Sequence, residues 1–434
     1  MKSIDRQILR LALPSIVSNI TVPLLGLCDV TIMGHLGGAA SIGAIAVGSM
    51  IFNVMYWLFV FLRMSTSGLT AQAYGAQQWQ LTRTTLHRSL RIAMAFAAAI
   101  LLLQVPLKHV TFWMMQATSD VAALCTPYFF ICIWGAPAVL GLYVLTGWLV
   151  GMQNTRIPMM IAIGQNVVNI GVSVVLVVAL GMGIKGLAIG TLTAQWAGFT
   201  AALLLAFRLN VPYKSNKSYR SYKSYRPYKS YRPYKSGSGA FYLFLRTVCL
   251  VAVNLYFTSA GAAQGPLILA ANTLLMQFFM IYSYMMDGFA NAGEALAGRY
   301  LGARDAAMLS LTVRRLFLWG TAVMLLFTIA YATCGTPLLR LLTSDGTVVD
   351  MAQKYLPWAV LVPAAGMAAF VWDGIFVGTT RSSGMLAACF FAAVAFFGVY
   401  ACLTGALGND ALWLALIVFL SVRGVVQTVL WNRS

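Results

Sequence analysis

Three observations predict that this chain folds as an all-α polytopic membrane protein. It is 60% hydrophobic and only 9% charged, with a mean hydropathy of +0.80, whereas soluble domains are about one quarter charged. Apolar runs of about 20 residues, the length that crosses a bilayer as a helix, recur along all 434 residues. These runs lack the polar–apolar alternation of membrane β-barrel strands, which excludes that fold.

The apolar runs number twelve and predict twelve transmembrane helices. They lie near residues 8–33, 43–73, 90–112, 122–150, 158–182, 187–208, 240–262, 270–297, 312–334, 352–378, 384–405 and 411–431. The first run follows a charged start, as a signal peptide does. Its length, Pro14, Pro23 and the lack of a small-residue cleavage site indicate a retained first helix instead.

The sequence resembles itself at a fixed distance. Gly302 and its neighbours repeat the surroundings of Gly75, and 302 − 75 = 227. The same offset relates Gly147 to Gly374, Gly151 to Gly378, Tyr128 to Tyr355 and Leu187 to Leu414. With six spans in each half, the repeat predicts two pseudo-symmetric six-helix lobes, an arrangement typical of secondary transporters with a substrate path between the halves.

The predicted domains are an N-terminal lobe over 1–210, a linker over 211–239 and a C-terminal lobe over 240–434. Within the linker, residues 212–239 hold five Lys, three Arg, seven Tyr and no acid. Because such a segment cannot form a hydrophobic face, we expect a disordered cytoplasmic linker near anionic lipid. Its basic and aromatic mixture would also suit RNA.

The net charge of +19 is distributed as in a membrane protein rather than a nucleic-acid-binding one. With a cytoplasmic N-terminus, sixteen Lys and Arg fall on cytoplasmic flanks, Arg246 and Arg423 among them, and four fall on the opposite side. Cytoplasmic loops of membrane proteins carry such an excess of positive charge. The sequence therefore predicts an inner-membrane, multi-pass protein with both termini in the cytoplasm.

Four of the ten acidic residues lie inside predicted spans: Asp29, Asp287, Glu294 and Asp373. A charge at the bilayer centre costs about 2.5–3.5 kcal/mol on insertion scales, and intramembrane carboxyl groups commonly serve proton or ion coupling. The alternative for each is a structural hydrogen bond between helices. The other six, such as Asp5, fall in termini and loops and are interpreted as solvated surface charges.

Polar residues within the spans favour an internal site. Asn166, Asn169 and Ser173 share one face of the fifth span, where they line a cavity or join neighbouring helices. The histidines His35, His87 and His109 lie in separate segments, so we expect no metal site. The spans contain no evident nucleophile–base pair, which argues against an enzyme.

Five segments resemble the DinF-type branch of the multidrug and toxic compound extrusion (MATE) transporters. They are PLLGLCDVTIMGHLGG (23–38), LRMSTSGLTAQAYGA (62–76), MDGFANAGEALAGRYLGARD (286–305), DGIFVGTTRSSGM (373–385) and ALWLALIVFLSVRG (411–424). The resemblance implies two six-helix lobes around a central cavity. It also implies exchange of protons or sodium for cationic or amphipathic compounds. We expect no cofactor and a monomer.

The resemblance assigns an ion-coupling site to the N-terminal lobe. Asp29 matches the first-helix acid that is taken to be the protonation switch, Asn169 matches a fifth-helix asparagine, and Thr191 matches a sixth-helix threonine. Ser173 stands where many relatives carry a second aspartate, which puts a two-acid sodium site in doubt.

In the C-terminal lobe, the resemblance matches Asp373 to a tenth-helix aspartate and matches Asp287 and Glu294 to the acidic pattern of the eighth helix. We expect these three acids to line the cavity and to attract cationic substrates. The preferred function is therefore a proton-coupled multidrug efflux antiporter that works by alternating access.

Four alternatives differ in substrate or class. The same site could couple efflux to Na⁺. A lipid-linked saccharide flippase of the wider superfamily needs basic residues in its cavity, and Arg63 is the one candidate. A membrane-embedded enzyme and a channel are disfavoured, the channel because two pseudo-symmetric lobes suit alternating access.

Overall fold

The computed structural model describes residues 2–36, 39–115, 119–209 and 236–433, without the side chains of 2–3, 22–42, 114, 119–120 and 236–237. In the N-terminal half the helices are α1 Lys2–Leu36, α2 Ala39–Trp57, α3 Phe61–Gly75, α4 Trp79–Leu102, α5 Gln104–Met114, α6 Ser119–Cys132, α7 Ala136–Gly151, α8 Arg156–Val174 and α9 Gly183–Arg208. In the C-terminal half they are α10 Ser236–Ala263, α11 Pro266–Gly302, α12 Ala306–Leu342, α13 Gly346–Gly378, α14 Ser382–Leu407 and α15 Asn409–Asn432.

The predicted membrane spans coincide with these helices. Eleven helical segments in the described part of the chain are long and apolar enough to cross a bilayer, from Gly43–Gly75 to Asn409–Asn432. They match the second to twelfth predicted spans. The first span, 8–33, lies in α1, whose side chains from Val22 onward are outside the described set. The prediction of an all-α polytopic membrane protein is confirmed.

Helices of the N-terminal half are interrupted where those of the C-terminal half are continuous. A turn over Leu58–Val60 separates α2 from α3, and the 3₁₀ segment Ile133–Gly135 separates α6 from α7. By the offset of 227, α2 and α3 together correspond to the single helix α11, and α6 and α7 to α13. Further interruptions occur at Leu103 and in the π-helical segment Val175–Ala179, which directly follows α8.

The backbone repeats at the offset found in the sequence. Positive φ angles occur at four described non-glycine residues, and these form two pairs at that offset: Gln77 (57°) with Arg304 (58°), and Gln153 (65°) with Thr380 (56°). Each lies just after a helix, where a left-handed residue lets the chain satisfy the last carbonyl groups. The N–H of Gln78 accordingly donates to the carbonyl of Ala73 at 2.9 Å.

Glycine contacts repeat in the same way and bring helices together within each half. A Cβ at Gly151 would lie 2.7 Å from the carbonyl oxygen of Ser67, and a Cβ at Gly378 would overlap the carbonyl oxygen of Glu294. A Cβ at Gly147 would likewise overlap the carbonyl oxygen of Arg63, and a Cβ at Gly374 would overlap that of Ala290. Small residues that let helix backbones approach are the usual means of packing helices in a bilayer.

The contacts divide the chain into two compact units whose boundary lies inside α1. One unit comprises Ile20–Ala240, and the other comprises Met1–Asn19 with Phe241–Ser434. The N-terminal lobe was predicted to begin at residue 1, so the first turns of α1 pack elsewhere than the sequence indicated. The predicted linker lies outside the described residues up to 235, and α10 begins at Ser236 within its last four residues.

Several contacts hold the first turns of α1 in the C-terminal unit. Asp5 Oδ1 accepts a hydrogen bond from Nε1 of Trp319 at 3.2 Å, and Asp5 Oδ2 lies 3.7 Å from Nη1 of Arg315. Further along α1, Ile16 packs into the space left by Gly288. The interpretation of Asp5 as a solvated surface charge was therefore wrong, because its carboxylate is partnered by two residues of α12.

Candidate functional site

The N-terminal unit contains a buried polar site between α8 and α9. Nδ2 of Asn169 donates a hydrogen bond to Oγ1 of Thr191 at 3.0 Å. Asn169 and Ser173, one turn apart on α8, both have 0% of their surface exposed. Ser173 Oγ occupies the space that a side chain at Gly190 would fill. The structure thus brings together three of the four residues predicted for ion coupling.

This site is rich in oxygen atoms that lack donors. Oδ1 of Asn169 and Oγ of Ser173 are fully buried, and no hydrogen-bond partner among the described residues reaches either atom. Buried polar groups in native proteins are almost always paired with protein, water or ions. The two atoms are therefore suited to accept a hydrogen bond from a protonated group or to face a cation.

Asp29, the fourth predicted residue, belongs to α1, but its side chain lies outside the described residues. The offset of 227 gives the equivalent residues of the C-terminal unit. They are Tyr256 for Asp29, Phe396 for Asn169 and Tyr400 for Ser173. The Tyr256 ring lies 6.1 Å from the Phe396 ring and 5.5 Å from the Tyr400 ring, between centroids. These positions form one side-chain cluster in the C-terminal unit.

Two glutamines extend the site in a way that the sequence did not indicate. Gln165, one turn before Asn169, donates from Nε2 to the carbonyl of Ala194 at 3.3 Å. The Gln195 side chain fills the space beside Gly135, and its buried Oε1 has no partner in the described part of the chain. Asn166 turns away instead, because its Nδ2 donates to the carbonyl of Thr21 in α1 at 2.8 Å.

Asp373 lies inside the C-terminal unit and is enclosed by cationic and amide groups. Its Oδ2 accepts from Arg246 of α10 and from Nη2 of Arg423 of α15, the latter at 2.6 Å. Its Oδ1 accepts from Nε2 of Gln427 at 2.7 Å. Only 9% of the Asp373 side chain is exposed, against 10% for Arg246 and 6% for Arg423.

These ion pairs correct two inferences from the sequence. Arg246 and Arg423 were counted as cytoplasmic flanking charges, yet both are buried in the C-terminal unit. Asp373 was predicted to attract cations in the cavity, yet its negative charge is already matched by two guanidinium groups. The spacing along the sequence, with partners 127 and 50 residues away, gave no signal of this cluster.

The other two predicted cavity acids differ in burial. Glu294 of α11 is 2% exposed, whereas Asp287, two turns earlier, is half-buried. Two aromatic residues near these acids are hydrogen-bonded within the C-terminal unit. Tyr282 donates to the carbonyl of Pro363 at 3.0 Å, and Trp372 Nε1 donates to Thr428 Oγ1 at 2.8 Å. These hydrogen bonds hold both rings inside the helix packing.

Among the described residues, no group of three His, Cys, Asp or Glu side chains is placed to hold a metal ion. The site that remains is the buried, oxygen-lined cluster of Asn169, Ser173 and Thr191.

A repeated membrane fold with an internal polar site defines a multi-pass membrane transporter, and comparison with known proteins identifies the family. The MatE family model matches residues 14–175 and 240–400. The chain belongs to the MatE family, which confirms the resemblance found in the sequence and makes it a transporter rather than an enzyme.

Relatives extend the match over the full chain. The chain is 36% identical over 433 residues to DNA damage-inducible protein F of Escherichia coli (strain K12), covering 100% of this chain and 93% of the relative. It is 25% identical over 338 residues to a probable multidrug resistance protein NorM of Synechocystis sp., covering 75% of this chain and 72% of the relative.

Solved structures show the same fold at low sequence identity. One is described as the outward-facing conformation of a multidrug resistance MATE family transporter of the MOP superfamily. It matches with a TM-score of 0.86 at 18% identity and covers 99% of this chain and 95% of the other. A MATE crystal structure in the bent conformation matches with a TM-score of 0.85 at 17% identity, with the same coverage.

Proposed function

We propose that this chain is a secondary active antiporter that exports cationic and amphipathic compounds in exchange for protons by alternating access. Membership of the MatE family supports efflux, and relatives with the NorM name are described as probable multidrug resistance proteins. The observation that carries the proposal is the Asn169–Thr191 hydrogen bond beside Ser173, in which Asn169 and Ser173 are fully buried. It provides a polar site for a coupling ion within the N-terminal unit.

Asp29 is the titrating group of this site in the proposal. In the C-terminal unit, the repeat-equivalent Tyr256 contacts the equivalents of Asn169 and Ser173. This contact supports grouping Asp29 with Asn169 and Ser173. Burial in an apolar span disfavours the charged form of a carboxyl group and so favours proton binding, whereas access to water favours proton release.

The proton is the coupling ion that the residues favour. Sodium is best held by several hard oxygen ligands with full negative charge among them. The described oxygens of Asn169, Ser173 and Thr191 are all neutral, so Asp29 is the single charged ligand proposed here. A protonated Asp29 can instead donate one hydrogen bond to Oδ1 of Asn169, which has no partner among the described residues.

The proposed topology is an inner-membrane monomer with both termini in the cytoplasm. Removing the buried Arg246 and Arg423 from the sixteen cytoplasmic flanking charges leaves fourteen against four, which still satisfies the positive-inside rule. Asp287 and Glu294 remain the proposed substrate-attracting acids. We assign Asp373 instead to holding α10, α13 and α15 together, which its two ion pairs support.

The test is transport of a fluorescent organic cation in proteoliposomes. An imposed pH gradient, and separately an imposed sodium gradient at clamped pH and membrane potential, should distinguish the two ions. We expect the pH gradient alone to drive transport, and the Asp29→Asn variant to insert normally but lose that response. Transport driven by sodium at clamped pH would overturn proton coupling, and normal pH dependence in Asp29→Asn would move the role to another acid.

A further inference from the structure

A set of polar side chains lies on α8 and α9, four of them at the contact between the two helices and the fifth, Gln195, beside Gly135. It comprises Gln165, Asn169 and Ser173 of α8 with Thr191 and Gln195 of α9, and we call it the α8–α9 polar stripe. Residues 165, 169 and 173 are spaced four apart and therefore share one face of α8. Two hydrogen bonds join this face to α9, from Gln165 to the Ala194 carbonyl and from Asn169 to Thr191, and Ser173 packs against Gly190.

Glycines make room for the stripe. Side chains at Gly198, Gly190 and Gly135 would overlap the side chains of Gln165, Ser173 and Gln195, respectively. Three oxygen atoms of the stripe, Asn169 Oδ1, Ser173 Oγ and Gln195 Oε1, are buried without a donor among the described residues. Buried oxygens of this kind typically bind water when the space is polar, since each water needs two to four polar partners.

The stripe has a direction relative to the membrane. With the proposed cytoplasmic N-terminus, α8 runs outward and α9 returns. Gln165 and Gln195 then lie one helical turn nearer the cytoplasm than Asn169 and Thr191. An antiporter that takes protons from outside must release them to the cytoplasm. Polar groups on the cytoplasmic side of the coupling site could assist this release, whereas helix packing alone does not require them.

We propose that Gln165 and Gln195 are positioning residues that hold water between the coupling site and the cytoplasmic side, along which the coupling proton leaves. The proton passes from the carboxyl group of Asp29 to water and departs as hydronium, leaving the carboxylate behind. The glutamine amides do not titrate. They accept hydrogen bonds from water through their oxygen atoms and donate through their NH₂ groups. This inference rests on the proposed function.

The experiment compares Gln195→Leu with the wild type in two proteoliposome assays of one fluorescent organic cation. The first measures transport driven by a pH gradient, and the second measures exchange of the cation across the membrane at equal pH, which needs no proton release. Because positioned proton-transfer groups are worth at least about 10²-fold, we expect the loss of one positioning residue to slow driven transport by about tenfold. Exchange should stay within about twofold of the wild type on the same reasoning.

A solvent isotope effect adds a readout that a structural role would not move. If proton release becomes limiting, D₂O should slow driven transport in Gln195→Leu more than in the wild type. Gln165→Leu should behave alike. The matched control is Trp196→Phe, which removes the neighbouring hydrogen bond from Trp196 Nε1 to the Trp134 carbonyl at 3.2 Å but leaves the stripe intact, and it should preserve the isotope effect and the coupling.

Two outcomes would overturn the inference. Equal losses in driven transport and exchange would make the glutamines structural, and unchanged driven transport would give them no role. Failure of the wild type to respond to a pH gradient is a different result, because it would refute the proposed proton coupling before any variant is compared.

Discussion

Nη2 of Arg423 donates a hydrogen bond to Oδ2 of Asp373 at 2.6 Å inside the C-terminal unit. Arg246 donates to the same oxygen atom from α10, so one carboxylate joins two buried guanidinium groups from separate helices. None of these charges is repeated in the N-terminal half, where the equivalent residues are Asn19, Thr146 and Trp196. The two halves therefore share a backbone plan but differ in the chemistry of their interiors.

Asp373→Asn should destabilise the protein. Removing one partner from a buried ion pair costs about 3–5 kcal/mol, because the remaining charges stay buried without compensation. Thermal unfolding in detergent measures the loss, and Asp350→Asn, at an exposed position of the same helix, serves as the control.

A substrate role for Asp373 would give a different pattern. Asp373→Asn would then unfold at the wild-type temperature but bind cationic substrates more weakly than neutral ones of similar size. Replacing Asp373 with Leu, and Arg246 and Arg423 with Met, should restore much of the stability, since apolar substitutes for a buried ion cluster are often neutral or stabilising.

Asn169→Leu should abolish proton-coupled transport while the protein still folds. Asn169 supplies both the bond to Thr191 and the unpartnered oxygen of the site, whereas a single interhelical hydrogen bond in a membrane protein is worth only about 0.6 kcal/mol. Thr191→Val should have a smaller effect, because it leaves Oδ1 of Asn169 in place. Substrate-induced proton release from purified protein measures both.

Thr193→Val is the matched control for Thr191→Val, because Thr193 is exposed on the same helix and bonds only to the Ile189 carbonyl in its own helix. Similar losses in the two threonine variants would point to a general effect on α9 rather than on the site.

Ser173→Asp should introduce sodium dependence. It adds a second carboxylate beside Asn169 and Thr191, and carboxylate oxygens are the ligands that hard cations prefer. Transport of a fluorescent cation under a sodium gradient at clamped pH should rise above the wild-type level. Ser173→Asn, which matches aspartate in size without its charge, should show no such increase; if it does, side-chain volume rather than charge is responsible.

Gly151→Ala and Gly378→Ala should both destabilise the protein, because each added methyl group meets a backbone carbonyl of a packed helix. Overpacking of a close contact costs about 1–3 kcal/mol. Gly398→Ala is the matched control, since its Cβ would meet nothing within 4 Å. At this site alanine should be neutral or slightly stabilising, as it favours a helix by up to about 1 kcal/mol. Unfolding temperatures in detergent measure the effects. Gly151→Ala or Gly378→Ala unfolding at the temperature of Gly398→Ala or above it would contradict the repeated contact.

Hydropathy predicted the spans well because a bilayer requires about 20 consecutive apolar residues for each crossing. The offset of 227 predicted the repeat because the glycines that share it lie at close helix contacts, where a larger side chain would overlap the neighbouring backbone. The Asn169, Ser173 and Thr191 group was predicted through the family resemblance. Its internal hydrogen bond and its unpartnered oxygens depend on the register between α8 and α9, which no local pattern gives.

The remaining errors have specific causes. Arg246 and Arg423 lie about ten residues from the nearest ends of their helices. A count of flanking charges along the sequence does not distinguish such positions from helix ends. Gln195 was missed because its partner surface, Gly135, belongs to an interruption between α6 and α7 rather than to a periodic helix. The spacing of polar residues along one helix describes only one side of each contact, because the partner lies on another helix.

The packing of the first turns of α1 also constrains how the chain is made. Synthesis runs from the N-terminus, so the residues up to Asn19 leave the ribosome before the rest of the C-terminal unit. Their partners, such as Gly288, Arg315 and Trp319, are translated about three hundred residues later. The C-terminal unit is therefore completed by a segment that is translated long before its other helices. A C-terminal half translated alone would leave that helix-binding surface bare until the segment was supplied from a separate molecule.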